Sequence, residues 1–118
     1  MTAQCLLDAK KALETLDLTK VASIYAMDFI FEDVPAGQRI TDRARLEGYF
    51  TRLFSLPGVE FSDICIYDGG TFAALEWTWS GIHRMTGEVY HVRGASVIEL
   101  RGGKIARESI YYDPSPAA

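Results

Sequence analysis

Cysteine is nearly absent. Cys5 and Cys65 are the only two in 118 residues, and no CxxC pair exists. A disulfide framework is excluded, and two isolated thiols read as reduced, small buried hydrophobes of a cytoplasmic protein. Histidine is equally scarce, with His83 and His91 alone and no HxH or HxxE spacing, so no metal ligand set is expected. GxGxxG and P-loop patterns are missing, and no cofactor is expected. The 12 basic residues form no stripe and the formal charge is −4, which argues against nucleic acid as a partner. No apolar run approaches the roughly 20 residues that span a bilayer. Met1 to Lys11 lacks a basic start followed by an apolar stretch, so no secretory signal is expected.

Apolar residues, by contrast, make up 48% of the chain and aromatic residues 12%, with two Trp, six Tyr and six Phe. That suffices for one domain, residues 1–118, with a core or cavity lined by rings. No repeat, linker or low-complexity segment divides it.

Leu6, Ala9, Leu13 and Leu16 mark one face of a first helix. Asp17 is placed to cap a second short helix carrying Val21, Ile24 and Tyr25. Phe29 to Asp33 reads as a short strand, closed by the turn Val34-Pro35-Ala36-Gly37. Thr41 or Asp42 then caps a third helix whose stripe is Leu46, Tyr49, Phe50, Leu53 and Phe54. Pro57-Gly58 stops it. Four strand-like runs follow, about 59–67, 72–84, 88–100 and 104–112, separated by short glycine-containing turns. Short turns between long strands predict an antiparallel meander. The fold class is α+β, a curved antiparallel sheet packed on three N-terminal helices.

Alternation assigns the faces. Leu75, Trp77, Trp79 and His83 share the inner side of one run; Tyr90, Val92, Ser96 and Ile98 share that of the next. His91, Arg93 and Glu99 fall outside. In the last run Ala106, Glu108, Ile110 and Tyr112 face inward, which puts a carboxylate on a mostly apolar surface. Such a group must find a partner or keep its proton.

Phe31-Glu32-Asp33-Val34-Pro35-Ala36-Gly37, Gly81-Ile82-His83, Arg93-Gly94-Ala95-Ser96, Gly103-Lys104-Ile105 and Tyr111-Tyr112-Asp113-Pro114, in that order, resemble SnoaL-like proteins of the nuclear transport factor 2 superfamily. The resemblance implies a cone-shaped barrel with one ligand cavity. It also implies a homodimer packed sheet against sheet, with Glu76, Thr78, His91 and Arg93 on the candidate interface. The superfamily includes ketosteroid isomerase, polyketide cyclase, limonene epoxide hydrolase and scytalone dehydratase. Asp33 matches the position of the isomerase's general base, and Tyr25 that of a supporting tyrosine. The isomerase's oxyanion donors would fall at Ala9 and about Ser96, and neither residue replaces them. The cyclase's histidine and aspartate would fall near Ser96 and Ile110 and are also missing.

Three residues are therefore candidates for chemistry: Asp33 as base, with Glu108 or His83 as partner acid. Each has a plainer alternative. Asp33 is a turn residue bonded to the backbone of Pro35 to Gly37, Glu108 half of a salt bridge, and His83 a hydrogen-bonded rim residue. Tyr25, Phe50, Trp77, Trp79, Ser96, Ile110 and Tyr112 are expected to line the pocket. Trp77 and Trp79 are either an aromatic platform or core packed on Phe50 and Phe54. The expected activity is cofactor-independent isomerisation, cyclisation or dehydration of a small apolar carbonyl or hydroxyl compound. The alternative is a non-catalytic ligand-binding or dimeric interaction domain.

Overall fold

Residues 2–118 are described by the structure, a computed structural model. Helix α1 (Gln4–Thr15) buries Cys5, Leu6, Ala9 and Ala12 and leaves Leu13 and Leu16 half-buried. It ends where Leu16 turns into the left-handed region at φ 53°, and the Asp17 N–H then closes onto the Ala12 carbonyl at 2.9 Å. Asp17 at once caps α2 (Leu18–Ser23) by accepting the Lys20 N–H at 3.0 Å. Two helices thus follow each other with no linker. Of the two predicted caps for α3 (Arg43–Phe54), Asp42 is the one used, accepting from the Ala44 N–H.

Strand β1 runs over Tyr25–Asp33, longer than the Phe29–Asp33 expected from sequence. Tyr25 opens this strand and does not belong to α2. The cause lies at the start of α3. The Arg43 guanidinium donates to the carbonyls of Ala22, Tyr25 and Ala26 and stacks over Phe29 at 5.5 Å. Those bonds hold the α2–β1 junction extended. A three-residue strand, β2 (Gln38–Ile40), returns antiparallel along β1 and carried no recognisable signal.

The remaining strands are β3 (Glu60–Asp68), β4 (Phe72–Ile82), β5 (Val89–Arg101) and β6 (Lys104–Tyr112), and they form the expected antiparallel meander. The six-stranded sheet has the order β2-β1-β6-β5-β4-β3. It departs from expectation in one pairing, since β1 lies parallel to β6. The sheet is therefore mixed. It is also open, with β2 and β3 as free edges, so the barrel is completed by helices and not by strand closure. Register shifts in β1, β3 and at Glu99/Leu100 curl it around those helices, because a bulge sharpens the local twist.

The core joins α1, α2, α3 and the concave sheet face through Leu6, Phe29, Phe31, Leu46, Leu75 and Ile98, all fully buried. Cys5 is buried as expected, but Cys65 is exposed, because the β3 bulge turns it to the convex side. Of the described residues, no helix is long and apolar enough to cross a membrane.

Candidate functional site

The concave face and the helices enclose a mainly apolar cavity of about 250 Å³, slightly below the roughly 300–1,000 Å³ of ordinary ligand sites. Each wall follows from local sequence. Helix α1 contributes Ala9 and Leu13; α3 contributes Tyr49, Phe50 and Leu53 from its apolar stripe. The strands contribute alternate residues: Tyr25, Phe31 and Asp33 from β1, Leu75, Trp77 and Trp79 from β4, Ser96 from β5, and Glu108, Ile110 and Tyr112 from β6. Gln38 and Arg52, both exposed, mark the opening.

Asp33 ends β1 with only 4% of its surface exposed. The hydroxyl of Tyr49 donates to Oδ2 and that of Tyr112 to Oδ1, each at 2.7 Å. The Ala36 N–H adds a longer bond to Oδ1 at 3.3 Å. The turn contact expected of a capping residue is thus present, and so is a cavity-facing carboxylate. Burial and the neighbouring Asp33 charge raise the pKa values of both tyrosines. Both hydroxyls therefore stay protonated donors.

Glu108 is 7% exposed. Its partner is Tyr25, whose hydroxyl donates to Oε1 at 2.5 Å. Among the described residues, no arginine pairs with it. Burial pushes the Glu108 carboxyl upward, an effect opposed by the Tyr25 and Ser96 hydroxyls. Burial, then the Glu108 charge, raises Tyr25 well above the ordinary phenol value. Ser96 in turn accepts the Trp77 indole N–H at 3.0 Å. That bond depends on Gly94, because a Cβ there would meet the Trp77 ring at 2.4 to 2.9 Å.

Register explains how the two acids share one cavity. Phe31 lies opposite Glu108 and Asp33 opposite Ile110 in the parallel β1–β6 pair. The carboxylates therefore sit one diagonal step apart on the same face, with separate tyrosine partners. All the lining candidates from sequence reach the cavity. His83 does not: it lies beyond the end of β4, packs its ring at a tilt against Tyr90 at 4.9 Å, and donates from Nε2 to the Pro116 carbonyl at 3.0 Å. Alternation holds, since His83 shares the face of Tyr90, but the cavity ends short of it and His83 takes the rim role. Trp77 packs on Phe61 and Tyr112, not on Phe50 and Phe54. Asp113 accepts the Ser115 N–H and hydroxyl and caps the final turn, Ser115–Ala117.

Tyr49 was not singled out from sequence beyond its place in the α3 stripe. The available signal was chemical: a phenol in a buried stripe needs a hydrogen-bond partner. Among the described residues, no three His, Cys, Asp or Glu side chains gather closely enough to hold a metal ion.

Comparison with known proteins places this geometry. A family model described as a SnoaL-like domain matches residues 8–108. An NTF2-like protein from Burkholderia thailandensis superimposes with a TM-score of 0.85 at 21% identity, over 99% of this chain and 95% of that one. A Catenulispora acidiphila protein with a ketosteroid isomerase-like fold, solved in complex with trimethylamine, gives 0.84 at 20% identity over 98% and 90%. An LEH-like epoxide hydrolase from M. tuberculosis gives 0.73 at 22% identity over 97% and 84%. No curated protein matches the chain.

Proposed function

The chain belongs to the SnoaL-like domain family, and from that premise we propose that it is a cofactor-independent acid–base enzyme acting on a small apolar carbonyl or hydroxyl compound. One observation carries the reading: two buried carboxylates, held by different tyrosines, face one apolar cavity. Asp33 is the base and takes a proton from carbon next to a carbonyl. Glu108, which burial favours in its protonated form, returns a proton through the Tyr25–Glu108 pair. In a dehydration that proton leaves with the departing hydroxyl as water; in an isomerisation it goes to a more distant carbon. Neither reaction needs an oxidant or a metal. Trp77, Trp79, Phe50 and Ile110 supply the apolar walls, and Ser96 orients Glu108.

The test is exchange of the α-protons of small cyclic and aryl ketones in deuterium oxide, followed by NMR. Wild-type protein is expected to accelerate exchange, and Asp33→Asn to abolish it while unfolding at a similar temperature. Exchange that persists in Asp33→Asn would refute the assignment.

A second reading, a non-catalytic binding domain, is favoured by the three donors already spent on Asp33. It expects ligand affinity without exchange. A homodimer through the convex sheet face is supported by exposed Phe72, Val97 and Tyr111. Glu76, Thr78 and Arg93 form a polar network on that face. A cytoplasmic location is supported by two unpaired cysteines.

A further inference from the structure

We propose that Arg52 recognises a carboxylate at the outer end of the ligand, so that the substrate is a small, otherwise apolar keto acid that enters apolar end first. This rests on the reading of the cavity as a substrate site and narrows its substrate class. Charge is unevenly distributed along the cavity wall. Both carboxyl groups that line it are buried, Asp33 at 4% exposure and Glu108 at 7%. Among the described residues, Arg52 is the one cation in that lining, and it stands exposed at the opening.

Arg52 is also uncommitted. The Arg43 guanidinium is held by three carbonyls, and Arg93, Arg101 and Arg107 each face an acid. Among the described residues, Arg52 forms no ion pair. Its side chain folds back along α3, since helical side chains lean toward the N-terminus. Nη1 comes to 3.5 Å from the point where a Cβ on Gly48 would stand. The guanidinium therefore lies against the turn that carries Tyr49, and glycine at 48 leaves that shelf bare.

Tyr49 is the residue whose hydroxyl holds Oδ2 of Asp33. Arg52 follows it by three positions, and residues so spaced on a helix are neighbours, ~5–6 Å apart at Cβ. Gln38, the other exposed polar side chain at the opening, lies directly opposite Asp33 in the β1–β2 pair and shares its face. A ligand thus meets a cation and an amide first, the Asp33 carboxylate next, and apolar rings beyond. An anionic group carried inward would lose its water beside Asp33 and is disfavoured. Held at the opening, it keeps part of its hydration and gains the forked donors of a guanidinium. The apolar body then fills the ring-lined interior, and the carbon next to the ketone falls beside Asp33, a few bonds inward from the carboxylate.

The probe is 3-benzoylpropionate, an aryl ketone whose carboxylate lies two carbons beyond its α-carbon. The control is the corresponding primary amide, which keeps the skeleton and loses the charge. Calorimetric titration at low ionic strength measures both affinities. The wild-type protein is expected to bind the acid about fivefold tighter than the amide, the upper range of an exposed ion pair. Added salt should shrink that preference. Arg52→Gln should remove it without changing the affinity for the amide, and Arg52→Glu should reverse it. Arg84→Gln removes the same charge from an exposed position outside the cavity lining and should leave the preference intact. Because Arg52 is exposed, its variants are expected to unfold at the parent's temperature.

Four outcomes overturn the proposal: neither probe binding at millimolar concentration, an acid bound no tighter than the amide, a preference that survives Arg52→Gln, or one lost equally in Arg84→Gln. Exchange of the probe's α-protons in deuterium oxide is read separately. A preference that depends on Arg52, without exchange, refutes the acid–base function alone. Exchange without the preference refutes the role of Arg52 alone.

Discussion

Removing one hydroxyl from the Asp33 clamp tests whether this carboxylate is held as the geometry requires. Tyr49→Phe deletes what is, among the described residues, the one donor to Oδ2, and Tyr112→Phe deletes the short bond to Oδ1, leaving the 3.3 Å bond from Ala36 there. A hydrogen bond to a charged group is worth ~1.5–3 kcal/mol, and the carboxylate is 4% exposed, so water replaces little of what is lost. Tyr49→Phe is therefore expected to cost ~2–3 kcal/mol. Tyr112 is less deeply buried, and Tyr112→Phe should cost ~1–2 kcal/mol. In a domain of this size these losses lower Tm by about 4 °C per kcal/mol.

The two variants share one carboxylate and cannot be independent. Their double variant should depart from additivity by at least ~0.5 kcal/mol. Urea unfolding of the four proteins at neutral pH, analysed as two-state transitions, gives the complete cycle. If both single variants lie within ~0.5 kcal/mol of the parent, or the cycle is additive, Asp33 is not held by the two phenols and the site has been misread.

Burial raises the Glu108 pKa in the folded chain, so the folded state holds this proton at pH values where the unfolded chain has released it. The contribution of Glu108 to stability is thus fully present below its unfolded pKa and is lost as pH rises through the folded one. Glu108→Gln should flatten that decline in urea midpoints measured across pH; an unchanged slope would exclude Glu108 as its source. Gly94→Ala would force a Cβ to within 2.4 to 2.9 Å of the Trp77 ring. It is expected to cost ~1–3 kcal/mol and to shift the Trp77 indole N–H resonance in a nitrogen–proton NMR spectrum as the Ser96 bond breaks, whereas a neutral variant with an unmoved resonance would show that Gly94 does not position Trp77.

Much of this architecture is local and was legible. Helical spacing marked the faces of α1 and α3, Asp17 announced α2 and the Thr41-Asp42 pair α3, and glycine-containing turns separated β3 through β6. Alternation along β4, β5 and β6 turned Trp77, Ser96 and Glu108 inward, because residues two apart on a strand share a face. Those rules assign a face but not the extent of a cavity, which is why His83, on the same side as Tyr90, still lies outside it.

Tertiary structure decided what depends on residues far apart in sequence. Nothing between positions 25 and 33 indicates that β1 will lie parallel to β6, yet that pairing sets Asp33 one diagonal step from Glu108. Arg43 reaches back to three carbonyls and makes Tyr25 the first residue of a strand, aimed at Glu108, rather than the last of a helix. The partnering of Asp33 with Tyr112 follows from the same β1–β6 register, and its partnering with Tyr49 arises only when α3 closes over the curled sheet. Local periodicity determined which side chains would be buried here. Which buried polar groups would meet was decided by the packing of distant elements, because a hydrogen bond depends on three-dimensional distance and direction rather than on spacing along the chain.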